Sequence, residues 1–186
     1  DLLSAGDAKE GAKRAHEQFR RANNMTDQIG GLGVLAQIPG DLREEALDSF
    51  FRAHASDALV VDKWFALQAT IAEPETLARV RRLMGHHAFS MNNPNRLRSL
   101  IGAFATGNLT RFNALDGSGY ELLVETVLAV DPKNPQVAAR LLAAFRSWRS
   151  LEPVRRAAAE AALQKVAAEK SLSPDVRDIV QRSLGR

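Results

Sequence analysis

Apolar residues recur along this chain at the spacing of an α-helix, and this periodicity constrains the fold more than any other feature. The clearest stripes place their members three or four positions apart, which puts them on one helical face. These stripes are Val60, Trp64, Leu67 and Ile71; Leu97, Leu100, Ile101 and Phe104; and Val137, Leu141, Phe145 and Trp148. No segment alternates apolar and polar residues as a half-buried strand would. The pattern predicts an all-α fold of about ten helices, near residues 5–22, 26–37, 41–54, 57–71, 74–85, 94–105, 119–130, 135–148, 152–169 and 174–185.

Proline marks the start of three predicted helices. Asn93-Pro94, Asn134-Pro135 and Ser173-Pro174 each combine a side-chain acceptor at the N-cap with a proline at the first helical position. These starts recur about every 40 residues, which is the period of paired-helix repeats of the HEAT and armadillo type. The spacing favours an α-α superhelix, that is, a HEAT-like helical solenoid, although a compact bundle fits the same helices.

Two further helix starts have the spacing of a capping box, in which two side chains satisfy each other's free amides. The pairs are Asp41 with Glu44 and Ser118 with Glu121. Because a capping box explains Ser118, the segment Gly117-Ser118-Gly119 predicts a loop and not a phosphate cradle or nucleophile. Gly30-Gly31 and Gly33, inside the second predicted helix, predict close packing between helices.

Length and composition limit the classes of protein to be considered. The 186 residues contain 45% hydrophobic residues, so we expect one domain over residues 1–186. There is no cysteine, which excludes disulfides, thiolate nucleophiles and cysteine-bound metals. No apolar run approaches the roughly 20 residues that cross a bilayer. The absence of cysteine fits a reducing compartment, so we expect a cytoplasmic protein. Because the chain begins at Asp1, without an initiator Met and directly in helical sequence, we expect a piece excised from something longer.

The charge pattern argues against nucleic-acid binding. The net charge is +3, but 25 Lys and Arg are interleaved with 22 Asp and Glu along the helices. Aromatic residues make up only 6% of the chain, so basic patches combined with stacking rings are missing. The pattern indicates solvated helix faces, and neither nucleic acid nor a membrane is predicted as a partner.

The histidines do not predict a metal centre. His16-Glu17 begins like the zinc-binding H-E-x-x-H helix, but the second ligand position holds Arg20, which does not coordinate zinc. His86 and His87 are adjacent, so on a helix they would point about 100° apart. We predict no metal ligands and no catalytic residues in this chain.

Two arginines are candidate binding residues. Arg98 and Arg140 lie at the edges of the apolar stripes of their helices instead of opposite them. One interpretation is a structural ion pair at the edge of the core. The other is capture of a carboxylate or a peptide carbonyl by the forked guanidinium group.

Four segments of the chain resemble the C-terminal helical domain of bacterial aminopeptidase N, in order and in spacing. They are residues 61–68 (VDKWFALQ), 89–101 (FSMNNPNRLRSLI), 116–120 (DGSGY) and 134–141 (NPQVAARL). The resemblance spans nearly the whole chain and includes the helix start at 24–27 (NMTD).

This resemblance implies a noncatalytic role within a zinc aminopeptidase, which releases N-terminal amino acids from peptides. The family carries its zinc on an H-E-x-x-H helix of another domain, and this chain lacks that motif. By resemblance, the domain caps the active-site cavity and limits substrate access, and Arg98 and Arg140 line the cavity. The implied partners are the catalytic and N-terminal domains of the same polypeptide and peptide substrates; zinc is the cofactor of the parent enzyme only.

A different class of function fits the same helices. The repeat of proline starts is also typical of a free-standing HEAT-like adapter, which binds another protein along a concave groove. An upstream H-E-x-x-H motif in the reading frame would favour the peptidase, and a native Met directly before Asp1 would favour the adapter.

Overall fold

The computed structural model describes residues 7–185, and every regular element in that range is helical. The eleven α-helices are α1 (Ala8–Arg21), α2 (Met25–Ala36), α3 (Asp41–His54), α4 (Ala58–Ala69), α5 (Thr76–Met84), α6 (94–107), α7 (Leu109–Phe112), α8 (Ser118–Val130), α9 (Pro135–Leu141), α10 (Pro153–Ala167) and α11 (Pro174–Leu184). The predicted all-α fold is confirmed, with one helix more than the expected number. The predicted first helix began near residue 5, and residues 5 and 6 lie outside the described part of the chain.

The helices stack mainly on their neighbours in sequence. α1 contacts α2 and α3, α3 contacts α4, α8 contacts α9 and α10, and α11 contacts α9 and α10. Buried side chains form a continuous core that extends from Phe19 in α1 to Val180 in α11. This near-neighbour packing is the arrangement of an α-α superhelix, as the repeat spacing predicted.

The three predicted proline starts are confirmed. The side chains of Asn93, Asn134 and Ser173 each accept a hydrogen bond from a backbone amide in the first turn of the helix that follows. Each cap satisfies an amide that the helix itself leaves free, so the residue before the proline defines the start of the helix.

Both predicted capping boxes are wrong. α3 follows Gly40, whose φ of 146° is accessible only to glycine, and no side chain caps that helix. At α8, Gly117 precedes the helix with a φ of 73°, and Ser118 is the first helical residue. The amide and hydroxyl of Ser118 both donate to Asp116 instead of closing a box with Glu121.

Asn108 produces a helix that the sequence did not predict. Its side-chain amide is buried and donates to the carbonyl oxygens of Ala69 (3.2 Å) and Ile71 (2.8 Å) at the end of α4. Its side-chain oxygen accepts a hydrogen bond from the amide of Arg111 and starts α7. A single side chain thus joins the end of α4 to a one-turn helix.

The glycines of α2 differ in their surroundings. A Cβ atom on Gly31 would lie 2.9 Å from the Phe19 amide nitrogen and 3.0 Å from the Ala15 carbonyl oxygen, so α1 and α2 approach closely there. A Cβ on Gly33 would meet nothing within 4 Å, so the predicted close packing is wrong at that position.

Candidate functional site

The candidate site is a pocket between α6 and α9. Its volume is about 330 Å³, within the range of small-ligand sites. The lining residues are Pro94, Arg98, Gly102, Ala103, Ala105 and Thr106 from α6 and Val137, Arg140 and Leu141 from α9. The fold therefore brings Arg98 and Arg140 to the same pocket from two different helices.

A π turn over Arg98–Gly102 shapes the α6 wall of this pocket. The π turn is defined by the hydrogen bond from the amide of Ala103 to the carbonyl oxygen of Arg98, five residues earlier. In a regular α-helix, positions four apart rotate by about 40° at each step. The extra residue of the π turn takes up part of this rotation, so Pro94, Arg98, Gly102 and Thr106 all line one pocket.

Arg96 anchors the start of this wall. Its guanidinium donates to the Asp62 carboxylate, to the carbonyl oxygen of Ala58 (2.8 Å) and to that of Ala88 (2.9 Å). The hydroxyl of Ser99 donates to the same Asp62 oxygen at 3.1 Å. These bonds hold the first turn of α6 against α4 and the loop that follows α5.

The two candidate arginines are exposed and accessible to a ligand. Nη2 of Arg98 donates to Oδ1 of Asn95 at 3.0 Å, one turn earlier on α6. Within residues 7–185 neither Arg98 nor Arg140 forms a salt bridge, so the interpretation as a structural ion pair finds no partner there. No acidic residue lines the pocket, so the two positive charges are not neutralised by the lining.

The chemistry of the lining suits binding. Alanine, valine and leucine side chains form an apolar floor, and the two guanidinium groups supply forked donors for an anion. The hydroxyl of Thr106 donates to the Gly102 carbonyl at 2.8 Å, which leaves its own lone pairs available to a donor. The pocket can therefore hold a carboxylate beside an apolar or amide group.

The histidines lie away from this pocket. His86 and His87 lie beyond the end of α5, and their ring centroids are 4.3 Å apart, so the angle expected on a helix does not apply. Burial, and then the charge of His87, lower the pKa of His86. On α1, His16 is half-buried and Glu17 is exposed. Among the described residues no three His, Asp or Glu side chains converge to hold a metal.

The sequence pointed to the arginines but not to the residues between them. Gly102, Thr106 and Val137 line the pocket without having been predicted. For Gly102 and Thr106, the sequence pattern that could have found them is the spacing of four from Pro94 to Thr106, which is informative only once the π turn is known. In the described part of the chain, no helix combines the length and the apolar character needed to span a membrane.

The chain is similar to a known family of helical-repeat domains and to known aminopeptidases. The family described as "Domain of unknown function (DUF3458_C) ARM repeats" matches residues 1–185. Aminopeptidase N of Caulobacter vibrioides is 40% identical over 185 residues, which is 100% of this chain and 21% of that protein. Aminopeptidase N of Escherichia coli is 41% identical over 170 residues, which is 90% of this chain and 19% of that protein.

A solved structure agrees with these relatives. The crystal structure of Legionella pneumophila aminopeptidase A in complex with aspartic acid matches with a TM-score of 0.93 and 29% identity, covering 98% of this chain and 22% of that one. The chain belongs to the family of C-terminal ARM-repeat domains carried by aminopeptidase N, which confirms the resemblance read from the sequence. It spans about a fifth of the length of the curated relatives it matches.

Proposed function

We propose that this chain is the noncatalytic helical domain of a cytoplasmic zinc aminopeptidase, in which it caps the active-site cavity and limits the access of substrates. The observation that carries the proposal is the convergence of Arg98 and Arg140 on one apolar pocket in a domain whose relatives are aminopeptidases. The remaining four fifths of such an enzyme hold the zinc and the groups that cleave the peptide bond. The partners of this domain are thus the catalytic and N-terminal domains of the same polypeptide, together with the peptide.

The charge of the pocket supports a specific contact with the substrate. An aminopeptidase holds the N-terminus of a peptide at its metal, so the distal end of the peptide, with its carboxylate, points away from the metal. Two exposed guanidiniums without acidic neighbours in the lining match that carboxylate. Anchoring both ends of a short peptide restricts its motion in the cavity, which favours productive orientation.

The first test removes each arginine from the intact enzyme. We expect Arg98→Ala and Arg140→Ala each to raise KM by about 10- to 100-fold for a tripeptide with a free carboxylate, because one charge-assisted hydrogen bond contributes about 1.5–3 kcal/mol. The same peptide as a C-terminal amide, and an amino-acid arylamide, should lose less. Steady-state kinetics with the three substrates measure the difference.

The control is Arg52→Ala, which removes an exposed arginine on α3 that pairs with Asp48 and lies outside the pocket. We expect equal kinetics for this variant and the wild type. Equal losses on the acid, the amide and the arylamide in the Arg98 and Arg140 variants would contradict carboxylate capture.

Two further measurements address the cap and the absence of catalysis. If the domain limits access, the intact enzyme should release the N-terminal residue of a short peptide much faster than the same residue at the end of a folded protein. Comparable rates would refute the limit on access.

Turnover of an arylamide by the purified chain with added zinc would refute the noncatalytic role.

A further inference from the structure

Gly102 lies in the interior of α6, where the fold gives no reason for a glycine. A Cβ atom at this position would lie 3.6 Å from Cγ of Arg98, 3.9 Å from its Cβ and 3.9 Å from the carbonyl oxygen of Leu97, all ordinary van der Waals contacts. At Gly31 and Gly119, by contrast, a Cβ would lie 2.9 Å and 2.4 Å from backbone atoms, so packing demands glycine there. The φ of Gly102 is −61°, which any residue adopts. Since glycine destabilises a helix interior relative to alanine, neither packing nor backbone conformation accounts for it.

The position of Gly102 in the pocket supplies a reason. It lies one turn after Arg98 and one turn before Thr106 on the wall shaped by the π turn, opposite Arg140 and Val137 of α9. A larger side chain here would extend past Cγ of Arg98 and occupy space in the pocket that Arg98 and Arg140 line. The missing Cβ leaves the helix backbone open to close approach by a ligand.

We propose that Gly102 determines specificity by letting the main chain of an extended peptide lie against α6 while the carboxylate of the peptide lies between Arg98 and Arg140. The hydroxyl of Thr106, whose proton is directed to the Gly102 carbonyl, accepts a hydrogen bond from an amide of that peptide. This inference rests on the proposed function and adds to it the residue that sets how closely the peptide approaches.

The test adds a side chain at position 102 of the intact enzyme with Gly102→Ala and Gly102→Leu. Both substitutions favour a helix, so thermal unfolding should begin no earlier than in the wild type. The ratio of kcat/KM for a free tripeptide to kcat/KM for an arylamide should fall about threefold with alanine and more than tenfold with leucine. The loss should come from KM.

The matched control is Gly33→Ala, at a second helical glycine, which lies outside the pocket. A Cβ atom on Gly33 would meet nothing within 4 Å. It should preserve thermal stability as Gly102→Ala does and leave the substrate ratio unchanged. A fall in unfolding temperature for Gly102→Ala but not for Gly33→Ala would show that the fold requires the glycine, and would overturn the inference.

The remaining outcomes separate this inference from the proposed function. If the leucine variant keeps the wild-type ratio while Arg98→Ala lowers it, the inference about Gly102 is wrong and carboxylate capture stands. If Gly102→Leu, Arg98→Ala and Arg140→Ala all keep the wild-type ratio, both proposals fail.

Discussion

Arg96 and Asp62 form the contact on which the geometry of the pocket depends most directly. Their side chains are only 11% and 16% exposed, so each charge is largely removed from water and relies on the other. The carbonyl oxygens of Ala58 and Ala88 satisfy further guanidinium donors. Arg96 lies two residues before the π turn, and we infer that its pairing with Asp62 keeps the first turn of α6 in the position that brings Arg98 to the pocket.

Replacing Arg96 with leucine should therefore lower the free energy of unfolding by about 3–5 kcal/mol, because the Asp62 carboxylate would stay largely buried without its counter-charge. Urea denaturation of the chain measures this loss. Asp62→Asn in the same background should recover part of it, since the remaining group is neutral.

The comparison for this prediction is Arg52→Ala, which breaks a surface pair whose side chains are 69% and 60% exposed. That change should lower the free energy of unfolding by less than about 1 kcal/mol. A similar small loss for Arg96→Leu would mean that water reaches Asp62 and that the pair does not anchor α6.

At the scale of the helices, N-caps decide where several elements begin. Asn134→Ala removes the acceptor for the amide of Val137 at the start of α9 and should lower the free energy of unfolding by about 1 kcal/mol. Asp41→Ala is the matched control, because no side chain caps α3, and its smaller loss of about 0.3 kcal/mol reflects only the helix dipole. Thermal or urea unfolding compares the two variants. Equal losses would show that the Asn134 cap contributes nothing beyond helix electrostatics.

Most of the helices could be predicted from the sequence, because apolar periodicity and the Asn-Pro and Ser-Pro starts are local signals. The two capping boxes failed because Gly40 and Gly117 take up the capping positions through backbone conformations that a spacing rule ignores. α7 was missed because its start depends on Asn108 reaching the end of α4, a contact between distant residues.

The residues of the pocket could be predicted only in part, for a related reason. Arg98 and Arg140 stood out through their positions beside apolar stripes, whereas Gly102 and Thr106 did not. A helical wheel assumes 3.6 residues per turn, and the π turn breaks that assumption at Arg98. The residues missed are those whose placement depends on a local change of helix geometry.

At the scale of the whole molecule, the turn after α5 connects the aromatic parts of α3 and α4. The ring of His86 lies 4.7 Å from Phe51 of α3 and 5.2 Å from Trp64 of α4, measured between ring centroids, and it stacks on His87. Nδ1 of His86 accepts a hydrogen bond from the amide of Ala88 at 3.2 Å, which requires an unprotonated nitrogen. This hydrogen bond thus needs the neutral imidazole, and we infer that protonation of His86 weakens the packing of the turn against α3 and α4.

This dependence predicts that acid weakens the folded chain. Burial among these rings, and then the charge of His87, lower the pKa of His86 in the folded state, while the unfolded chain keeps the ordinary pKa of about 6.5. Above that pH both states hold neutral His86, and the residue adds no pH dependence. Below it the unfolded chain takes up a proton before the folded chain does, so the free energy of unfolding falls as the pH decreases.

Urea denaturation at intervals from pH 8 to pH 5 measures this decline. The variant His86→Phe keeps an aromatic ring but does not titrate. Its free energy of unfolding should therefore change less steeply with pH below about pH 6.5. Only the slopes are compared, because the substitution also removes the acceptor for the Ala88 amide and lowers stability at every pH. Between pH 7.5 and pH 8 the two slopes should agree. Identical slopes below pH 6.5 would show that the ring of His86 can be protonated without disturbing its contacts with Phe51 and Trp64, and that acid acts elsewhere on the superhelix.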